Sequence, residues 1–597
     1  MRVTGRLIRN VALAVTSTIL TIGLAAQALP AVGRHGAVSA PVLAGPSAQA
    51  ANGQGSGGDN GNGNGPKPVE PSGPLSSDAG MTAAMTDLET KANDHFWWGL
   101  MLEIDYKDTS KTPGEVVGVG AFGDSGLWSG TYLAAESFRY ATARDYLSRP
   151  KNLKPKLTKD EIAFWQAQKA EAKTRIDKMV AQNHVRIHIA REWQTEFSPS
   201  IDPAQLPGGI SFGGGVIKGE PGMLMRSCAP DDDPSGLHMS SNKRVFGPWQ
   251  WTNDAGVPAN LQMPETTYVC ETAPSRDTYA GTTFGMLTAF DLVSADDPAM
   301  RAMIASDVQI LANFLVKNGW TYPRPHGNVS LPPFGHDFDN FVSPLFPQVP
   351  LARLNMIQAA RHVAEETATA IDKLKWEAVW AEELATQGPI LAGSMQVDAA
   401  DLSGYYPFNL HHLTFFNTIR LESDPAVREI FRQALSVLDN TTGDDLNAHF
   451  EAITYALTGE DYRRDAAVQH VRDWLDYRAR IDLGGPTTNS TRCGVDLTCI
   501  PNDQTDLVFD VAGQPVTVSK PGTATKMRAT TPLPIAQRPP TDFLWQRVPQ
   551  ELDGYEGFTH RAPGIDFLLP YWMIRYYTEV KTPDQAPLPV WIGPASK

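Results

Sequence analysis

Polar side chains crowd the stretch VCETAPSRDTYAG, which covers residues 269–281 and leads into a predicted helix. Glu271, Arg276, Asp277 and Tyr279 all lie within it. Ser275 and Asp277 can satisfy the free N–H groups of the first turn, and the helix dipole favours the charge of Asp277 there. One interpretation of the other groups is an ion pair between Arg276 and a carboxylate that fixes the loop. The alternative makes Glu271 or Asp277 a general acid or base and lets Arg276 and Tyr279 bind a substrate.

A second candidate is the stretch GDSGLWSG at residues 123–130, where Asp124 lies among glycines and Trp128 follows one helical turn later. The simpler interpretation is an N-cap followed by a core tryptophan, because capping is the commonest role of such an aspartate. The functional interpretation is a carboxylate beside an aromatic platform, which suits a sugar ring. Both interpretations place Asp124 at the start of a helix.

A third candidate is the loop PPFGHDFDNF, in which His336, Asp337 and Asp339 lie within four residues between proline and glycine. It is either a solvated loop or a site, since loops on rigid scaffolds often carry function. The three residues match no recognised metal-binding spacing, so we expect neither a metal nor another cofactor.

The stretch SGYYPFNLHHLTFFNTIRLES contributes Tyr405 and the adjacent pair His411 and His412 near the start of another predicted helix. Adjacent residues on a helix point in different directions, so at most one of the two histidines can face a given target. We take Tyr405 and His411 as the substrate-binding candidates of this stretch.

Two common catalytic motifs are absent from the sequence, because it contains no P-loop and no HExxH. This argues against the usual NTPase and zinc protease mechanisms.

The elements that position these candidates are predicted to be helices, with apolar residues at spacings of three and four. We predict helices near residues 127, 160, 277, 298, 350, 370, 409, 426, 445, 463 and 565. Two of the starts repeat: DDPAMR at 296–301 and SDPAVR at 423–428 each have an aspartate N-cap followed by proline. An apolar helix precedes each repeat, so the pattern alternates inner apolar helices with outer amphipathic ones.

Five or six such pairs can bury their inner faces by closing into a ring. With GDSGLWSGTYLAAESFRY and PSRDTYAGTTFG at two of its inner helix starts, the chain resembles the α/α toroid of secreted bacterial carbohydrate-active enzymes, both hydrolases and lyases. The resemblance implies a mainly α fold whose inner helices start at one end, around one cleft. It implies that seven residues converge there: Asp124, Glu271, Arg276, Asp277, His336, Asp337 and Asp339.

Four segments are expected along the chain. Arginines, an uncharged run and Ala26-Gln27-Ala28 predict a signal peptide over 1–28, with a rival cleavage site at 48–50. A Gly/Asn/Pro-rich linker follows over 29–80, and the toroid covers 81–482. Residues 483–597 are expected to form a lobe with a hairpin and a closing helix. No later stretch looks apolar enough to span a membrane, so we expect a secreted, extracellular protein and a monomer.

The net charge bears on the class of partner, and the cysteine content predicts disulfides. Without the predicted signal peptide the chain has 48 basic and 66 acidic residues, a net charge of −18, which argues against nucleic acid. The four cysteines of an exported chain are expected to pair locally, Cys228 with Cys270 and Cys493 with Cys499.

Three functions stay open. The first is a secreted glycoside hydrolase that acts on a neutral or weakly charged polysaccharide through two carboxylates. The second is a polysaccharide lyase that uses Tyr or His as base, with Arg or Asn neutralising a uronate. The third is a non-catalytic carbohydrate-binding surface protein. For the enzymes, the catalytic candidates are Asp124, Glu271, Asp277 and Asp337, and the substrate-binding candidates are Trp128, Arg276, Tyr279, His336, Asp339, Tyr405 and His411.

Overall fold

The computed structural model describes most of the chain between residues 75 and 580. Described are residues 75, 78–107, 114–148, 157–192, 194–196, 216–232, 245–272, 275–320, 322–323, 334–335, 348–394, 406–482, 491–493, 499–501, 508–509, 515–516, 532, 535, 549, 560–561 and 564–580. The predicted signal peptide and nearly all of the predicted linker lie outside them.

The fold is mainly helical, as the sequence predicts, and twelve helices lie within the described residues. They are α1 Ala79–His95, α2 Ser125–Leu147, α3 Lys159–His188, α4 Arg276–Leu292, α5 Pro298–Lys317, α6 Gln348–Thr367, α7 Ala370–Ser394, α8 Tyr406–Leu421, α9 Pro425–Thr442, α10 Ala448–Thr458, α11 Asp461–Asp482 and α12 Ile565–Arg575. Eleven of them start within a few residues of the predicted positions. The sequence analysis missed α1.

The two repeated helix starts form as predicted. Asp297 caps α5, since its carboxylate accepts a hydrogen bond from the backbone N–H of Met300 at 3.1 Å. Asp424 caps α9 in the same way and accepts from Ala426 N–H at 2.8 Å. A proline occupies the first helical position of each, where the missing N–H costs nothing because that group has no partner within the helix.

Glycines bring α2 and α4 into backbone contact. A Cβ on Gly130 would lie 2.0 Å from the carbonyl oxygen of Gly281, and one on Gly285 would lie 2.3 Å from the carbonyl oxygen of Gly130. Near the two helix starts, a Cβ on Gly126 would lie 2.7 Å from the methyl group of Thr278. The matching order of these contacts along both helices shows that α2 and α4 run in the same direction.

Polar contacts join two further helices to α4. On α6, Met356 accepts a hydrogen bond from Thr283 at 3.2 Å and His362 contacts Asp291 at 2.6 Å, so the two helices run in parallel. On α8, Arg420 pairs with the same Asp291, near the end of α4. Contacts continue from α8 to α10, from α10 to α12 and from α12 back to α2. The entrances of α2 and α4 therefore lie at one end of the molecule.

Short strands lie between the helices. The largest sheets have three strands each: β7 (Ser227–Pro230), β9 (Thr267–Glu271) and β8 (Val245–Gln250) in one, and β16 (His560–Arg561), β3 (Glu103–Tyr106) and β4 (Val116–Gly120) in the other. The predicted hairpin near residue 510 forms from Val508–Phe509 and Pro515–Val516.

The remaining strands pair as four ribbons: β1 (Phe96–Trp97) with β2 (Leu100–Met101), β5 (Gln194–Glu196) with β6 (Val216–Lys218), β10 (Tyr322–Pro323) with β11 (Phe334–Gly335), and β12 (Thr491–Cys493) with β13 (Cys499–Pro501). The two strands of the hairpin near residue 510 are β14 and β15.

A buried charge cluster ties α1, α2, α3 and α12 together. It consists of Glu89, Glu136, Arg139 and Arg175, whose side chains are at most 8% exposed. Arg139 pairs with Glu89 at 3.2 Å and with Glu136 at 3.1 Å. Arg175 also pairs with Glu89, whose second oxygen accepts a hydrogen bond from the indole of Trp572 at 2.9 Å. The network therefore carries buried charge from the first helix to the last.

One helix corrects an expectation from the sequence. By length and composition α5 is apolar enough to cross a membrane, although we predicted that no such stretch follows the N-terminus. About half of it, 56%, is buried inside the protein, and its Asp307 is fully buried. These properties are also those of a core helix, so α5 is weak evidence for a membrane span.

Candidate functional site

A disulfide positions the strand that leads to α4. Cys228 and Cys270 are register partners of β7 and β9, and their sulfur atoms are 2.09 Å apart. This confirms one predicted bridge. The second predicted pair, Cys493 and Cys499, lies opposite in a β-ribbon, but their side chains lie outside the described part of the structure.

The strand pair places an arginine beside a buried carboxylate. The backbone N–H of Arg226 donates to the carbonyl oxygen of Glu271 at 2.8 Å, and its guanidinium lies 4.0 Å from the Glu271 carboxylate. Glu271 is 1% exposed, whereas the Arg226 side chain reaches solvent with 14% of its surface. Glu271 thus pairs with Arg226, an arginine that the sequence interpretation did not consider.

Asp124 occupies the N-cap position of α2, yet its carboxylate accepts no capping hydrogen bond. Asp124 is exposed to solvent on one side, while the other side packs near protein atoms that partly desolvate its carboxylate. This burial raises the pKa of Asp124, and the positive charge of nearby Arg226 opposes the rise. The carboxylate is therefore accessible and is not occupied by capping.

Asp277 lies in the first turn of α4, directly after Arg276, and both side chains are half-buried. Burial raises the pKa of Asp277, and the negative charge of Asp124 raises it further. Arg226 and Arg276 oppose this shift. The two aspartates are thus close enough to influence each other, although 153 residues separate them in the sequence.

The N-cap of α4 is a residue other than Asp277. Ser275 is the N-cap of α4, and its backbone N–H donates to Thr278 Oγ1 at 3.4 Å. Asp277 therefore contributes to the helix start through its charge near the positive end of the dipole, and its carboxylate stays at the solvent-accessible entrance.

His411 is the candidate that α8 brings to the same place. It is 4% exposed, and neither ring nitrogen has a hydrogen-bond partner within the described residues. Burial lowers its pKa to about 3, helped by His412 and by the charge of Arg276, so the ring is neutral at physiological pH. Its neighbour His412 is structural, because it contacts the Phe408 carbonyl at 2.7 Å and stacks on Phe450.

We call Asp124, Arg226, Arg276, Asp277 and His411 the entrance cluster, because they lie at or beside the starts of α2, α4 and α8. Two accessible carboxylates with raised pKa values, two arginines and a neutral histidine provide the groups needed for proton transfer and for binding an oxygen-rich substrate.

Two expected binding residues are corrected by their burial. Trp128 is 2% exposed and Tyr279 is 1% exposed, and both belong to the main hydrophobic core. Neither ring has an open face on which a sugar could stack, because the apolar stripes of α2 and α4 turn toward the core. The core interpretation of Trp128 is the correct one.

Four sequence candidates lie outside the described residues: His336, Asp337, Asp339 and Tyr405. Their convergence on the entrance cluster stays a prediction.

The sequence analysis missed Arg226. The predicted disulfide could have indicated Arg226, because antiparallel pairing of Cys228 with Cys270 brings together the residues that flank each cysteine. Among the described residues, one further group collects metal-ligating atoms, away from the entrance cluster: His184, His188 and Asp307.

Comparison of the chain with known proteins returned no matching family model, no matching curated protein and no matching solved structure.

Proposed function

We propose that the protein is an exported glycoside hydrolase in which Asp124 and Asp277 act as the pair of carboxylates. The observation that carries the proposal is that the charge of Asp124 raises the pKa of Asp277, while both carboxylates are accessible at neighbouring helix starts. A raised pKa lets one carboxyl stay protonated and donate to the leaving oxygen, while the other activates water or attacks the sugar. Arg276 and Arg226 flank the pair and orient the substrate through hydrogen bonds.

The architecture we propose for this enzyme is an α/α toroid. Six helices would form the inner ring, α2, α4, α6, α8, α10 and α12, and the other six would cover them. The contacts from α2 through α4, α6, α8, α10 and α12 back to α2 support this arrangement. A ring of this kind collects the inner helix starts around one cleft, and the entrance cluster occupies such a position.

A second candidate is a polysaccharide lyase, and His411 is the observation that favours it. A neutral histidine with unpaired ring nitrogens beside Arg276 can abstract a proton next to a uronate carboxylate that the arginine neutralises. In this case the substrate carries uronic acids. The hydrolase and the lyase therefore differ in both substrate and product.

One experiment separates these functions. The purified chain is incubated with a panel of neutral and uronate-containing polysaccharides, and both new reducing ends and unsaturated-uronate absorbance are recorded. A hydrolase produces reducing ends alone, whereas a lyase produces both. If neither signal appears with any polysaccharide of the panel, both enzymes are rejected and the binding-protein hypothesis is left.

Variants assign the roles. For a hydrolase, Asp277→Asn and Asp124→Asn lower kcat by about 100-fold or more, while His411→Gln has a smaller effect. For a lyase, His411→Gln abolishes turnover and Asp277→Asn retains most of it. The matched control is Asp424→Asn, which changes an aspartate at the start of a different helix and keeps a residue that caps well, so its kcat should stay within about twofold of the native value.

A further inference from the structure

A group of metal-ligating side chains joins two helices away from the entrance cluster. His184 and His188 lie one turn apart on α3, and Asp307 lies on α5. One ligand atom from each can be chosen so that all three lie within 4.8 Å of one another. All three residues are buried, and Asp307 is 0% exposed.

The contacts within the group focus on one carboxylate. His184 Nδ1 lies 2.9 Å from Asp307 Oδ1 and 3.1 Å from Oδ2, and His188 Nε2 lies 2.8 Å from Oδ1. Two imidazole nitrogens and a carboxylate oxygen are the donor set that suits zinc and its neighbours in the first transition series. Histidines spaced by four residues present their two imidazoles from one helix face, and here the carboxylate comes from the neighbouring helix.

A fourth residue lies behind the first histidine. Asp254 Oδ2 lies 3.4 Å from His184 Nε2, on the ring edge away from Asp307, although this contact does not meet the geometry of a hydrogen bond. A carboxylate at this nitrogen favours the tautomer with a proton on Nε2 and leaves the Nδ1 lone pair for a metal. Carboxylates commonly hold ligating histidines in this way. The edge of Trp251 also packs against the His184 ring, at a centroid distance of 5.8 Å.

We propose that His184, His188 and Asp307 form a binding site for a divalent transition metal of the zinc class, with Asp254 as the positioning residue behind His184. A tetrahedral zinc ion with bonds near 2.0 Å holds its ligand atoms about 3.3 Å apart. The two histidine nitrogens, now 2.9 and 2.8 Å from Asp307 Oδ1, would each move away from that oxygen by about half an ångström, which small rotations of the imidazole rings provide. The site has three protein ligands, and a tetrahedral ion would take a water or another oxygen as its fourth ligand.

The bound metal would strengthen the support behind the entrance cluster. It would link α3 to α5 near the C-terminal end of α3, where Gln182 Nε2 donates to the Cys228 carbonyl at 2.6 Å. That carbonyl belongs to β7, the strand that follows Arg226. The proposal does not depend on the function of the entrance cluster, and its test requires no enzyme activity.

The competing interpretation is a metal-free hydrogen-bond network in which both histidines donate to Asp307. Calorimetric titration distinguishes the two, using the tag-free native chain after removal of metals with a chelator. We expect one Zn²⁺ per chain with a Kd of about 1 µM or tighter, and a midpoint of thermal unfolding that rises with Zn²⁺ concentration. A native chain with no site tighter than about 100 µM would overturn the proposal.

Variants test the ligands individually. Asp307→Asn and His188→Gln should weaken Zn²⁺ binding by at least about 100-fold, and Asp254→Asn by about 10- to 100-fold. The control His470→Gln changes a buried histidine on α11 and should bind as the native chain does. Ligand variants that bind Zn²⁺ as tightly as the native chain would also overturn the proposal.

Cobalt titrated into the native chain keeps the test decisive if a ligand variant does not fold. Four- or five-coordinate Co²⁺ with histidine ligands gives strong visible absorption bands, which we expect at one equivalent. A spectrum of hydrated Co²⁺ alone would reject the site.

Discussion

Two charge clusters in this protein contain the same residue types and differ in what surrounds them. In the buried charge cluster, Glu89 accepts from Arg139, Arg175 and Trp572, so its oxygens have several donors. In the entrance cluster, Asp124 is the N-cap of α2 without a capping hydrogen bond, and Asp277 lies half-buried near it. One cluster is sealed and internally paired, and the other is open to solvent.

The pKa shifts of Glu89 and Asp277 show the effect of this difference. The charges of Arg139 and Arg175 outweigh burial and lower the pKa of Glu89. At the entrance, burial and the charge of Asp124 outweigh Arg226 and Arg276, so the pKa of Asp277 is raised. Clusters of carboxylates and arginines therefore indicate function only where solvent access and incomplete pairing accompany them.

The cavity beside the buried charge cluster illustrates the same lesson. A space of about 410 Å³ is lined by Glu89, Asn93, Arg139, Arg175 and Lys178, among others. Most of its charged groups already pair with one another, because Glu89 pairs with both Arg139 and Arg175. A cavity alone is thus a weaker indicator than the two accessible aspartates.

The largest expected loss of stability comes from a substitution in the buried charge cluster. Glu89→Gln should lower the free energy of unfolding by about 3–5 kcal/mol, because it leaves Arg139 and Arg175 buried with less negative charge. Chemical denaturation measures this. The control Glu171→Gln removes a carboxylate that is 57% exposed and pairs with the same Arg139, so it should cost less than about 1 kcal/mol. Equal losses of unfolding free energy in the two variants would contradict the prediction, because they would show that burial of the carboxylate does not set the size of the loss.

The next prediction concerns Glu136, whose pKa is raised to about 7 by burial and by the charge of Glu89. The folded protein holds this proton more tightly than the unfolded chain, where the carboxyl titrates near 4.5. The stabilisation is therefore present below about pH 4.5 and is lost as the pH rises to 7. Relative to the native chain, Glu136→Gln should gain roughly 2–3 kcal/mol across this window. A pH-independent difference in unfolding free energy would contradict the assignment.

A smaller effect is expected from the helix contact that supports the entrance cluster. Gly281→Ala should destabilise by about 1–3 kcal/mol, because the added Cβ would lie 2.5 Å from the Leu127 Cα on α2. Thermal unfolding measures the loss. Gly388→Ala is the control: a Cβ there would meet only the end of a leucine side chain at 3.6 Å, and alanine favours the helix. We expect that control to be neutral or stabilising.

The smallest prediction concerns Asp277, whose pKa shift is opposite in sign to that of Glu89. Ionised Asp277 destabilises the fold at pH 7, because its pKa is raised above the ordinary value. Asp277→Asn should therefore raise the thermal midpoint at pH 7, and the gain should vanish below the ordinary pKa of an aspartate. A lower midpoint at pH 7 would mean that the Asp277 charge is stabilising, as that of Glu89 is.

Much of the fold could be predicted from the sequence. Helix starts at the repeated Asp-Pro sequences depend on local chemistry, since an aspartate caps and a proline fits the first turn wherever the helix lies. The bridge between Cys228 and Cys270 followed from compartment and cysteine count. Helix α1 was missed, because its apolar residues form a weak pattern directly after a polar linker.

Capping and periodicity act within a few residues along the chain, so the residues that stand at helix starts can be identified without the fold. Their exposure to solvent depends on how the helices pack, and this the structure reveals. It buried Trp128, paired Glu271 with Arg226, and left Asp124 and Asp277 near each other and accessible. Burial and charge pairing depend on residues far apart in the chain, and here the glycine contact between α2 and α4 brings the two helix starts together.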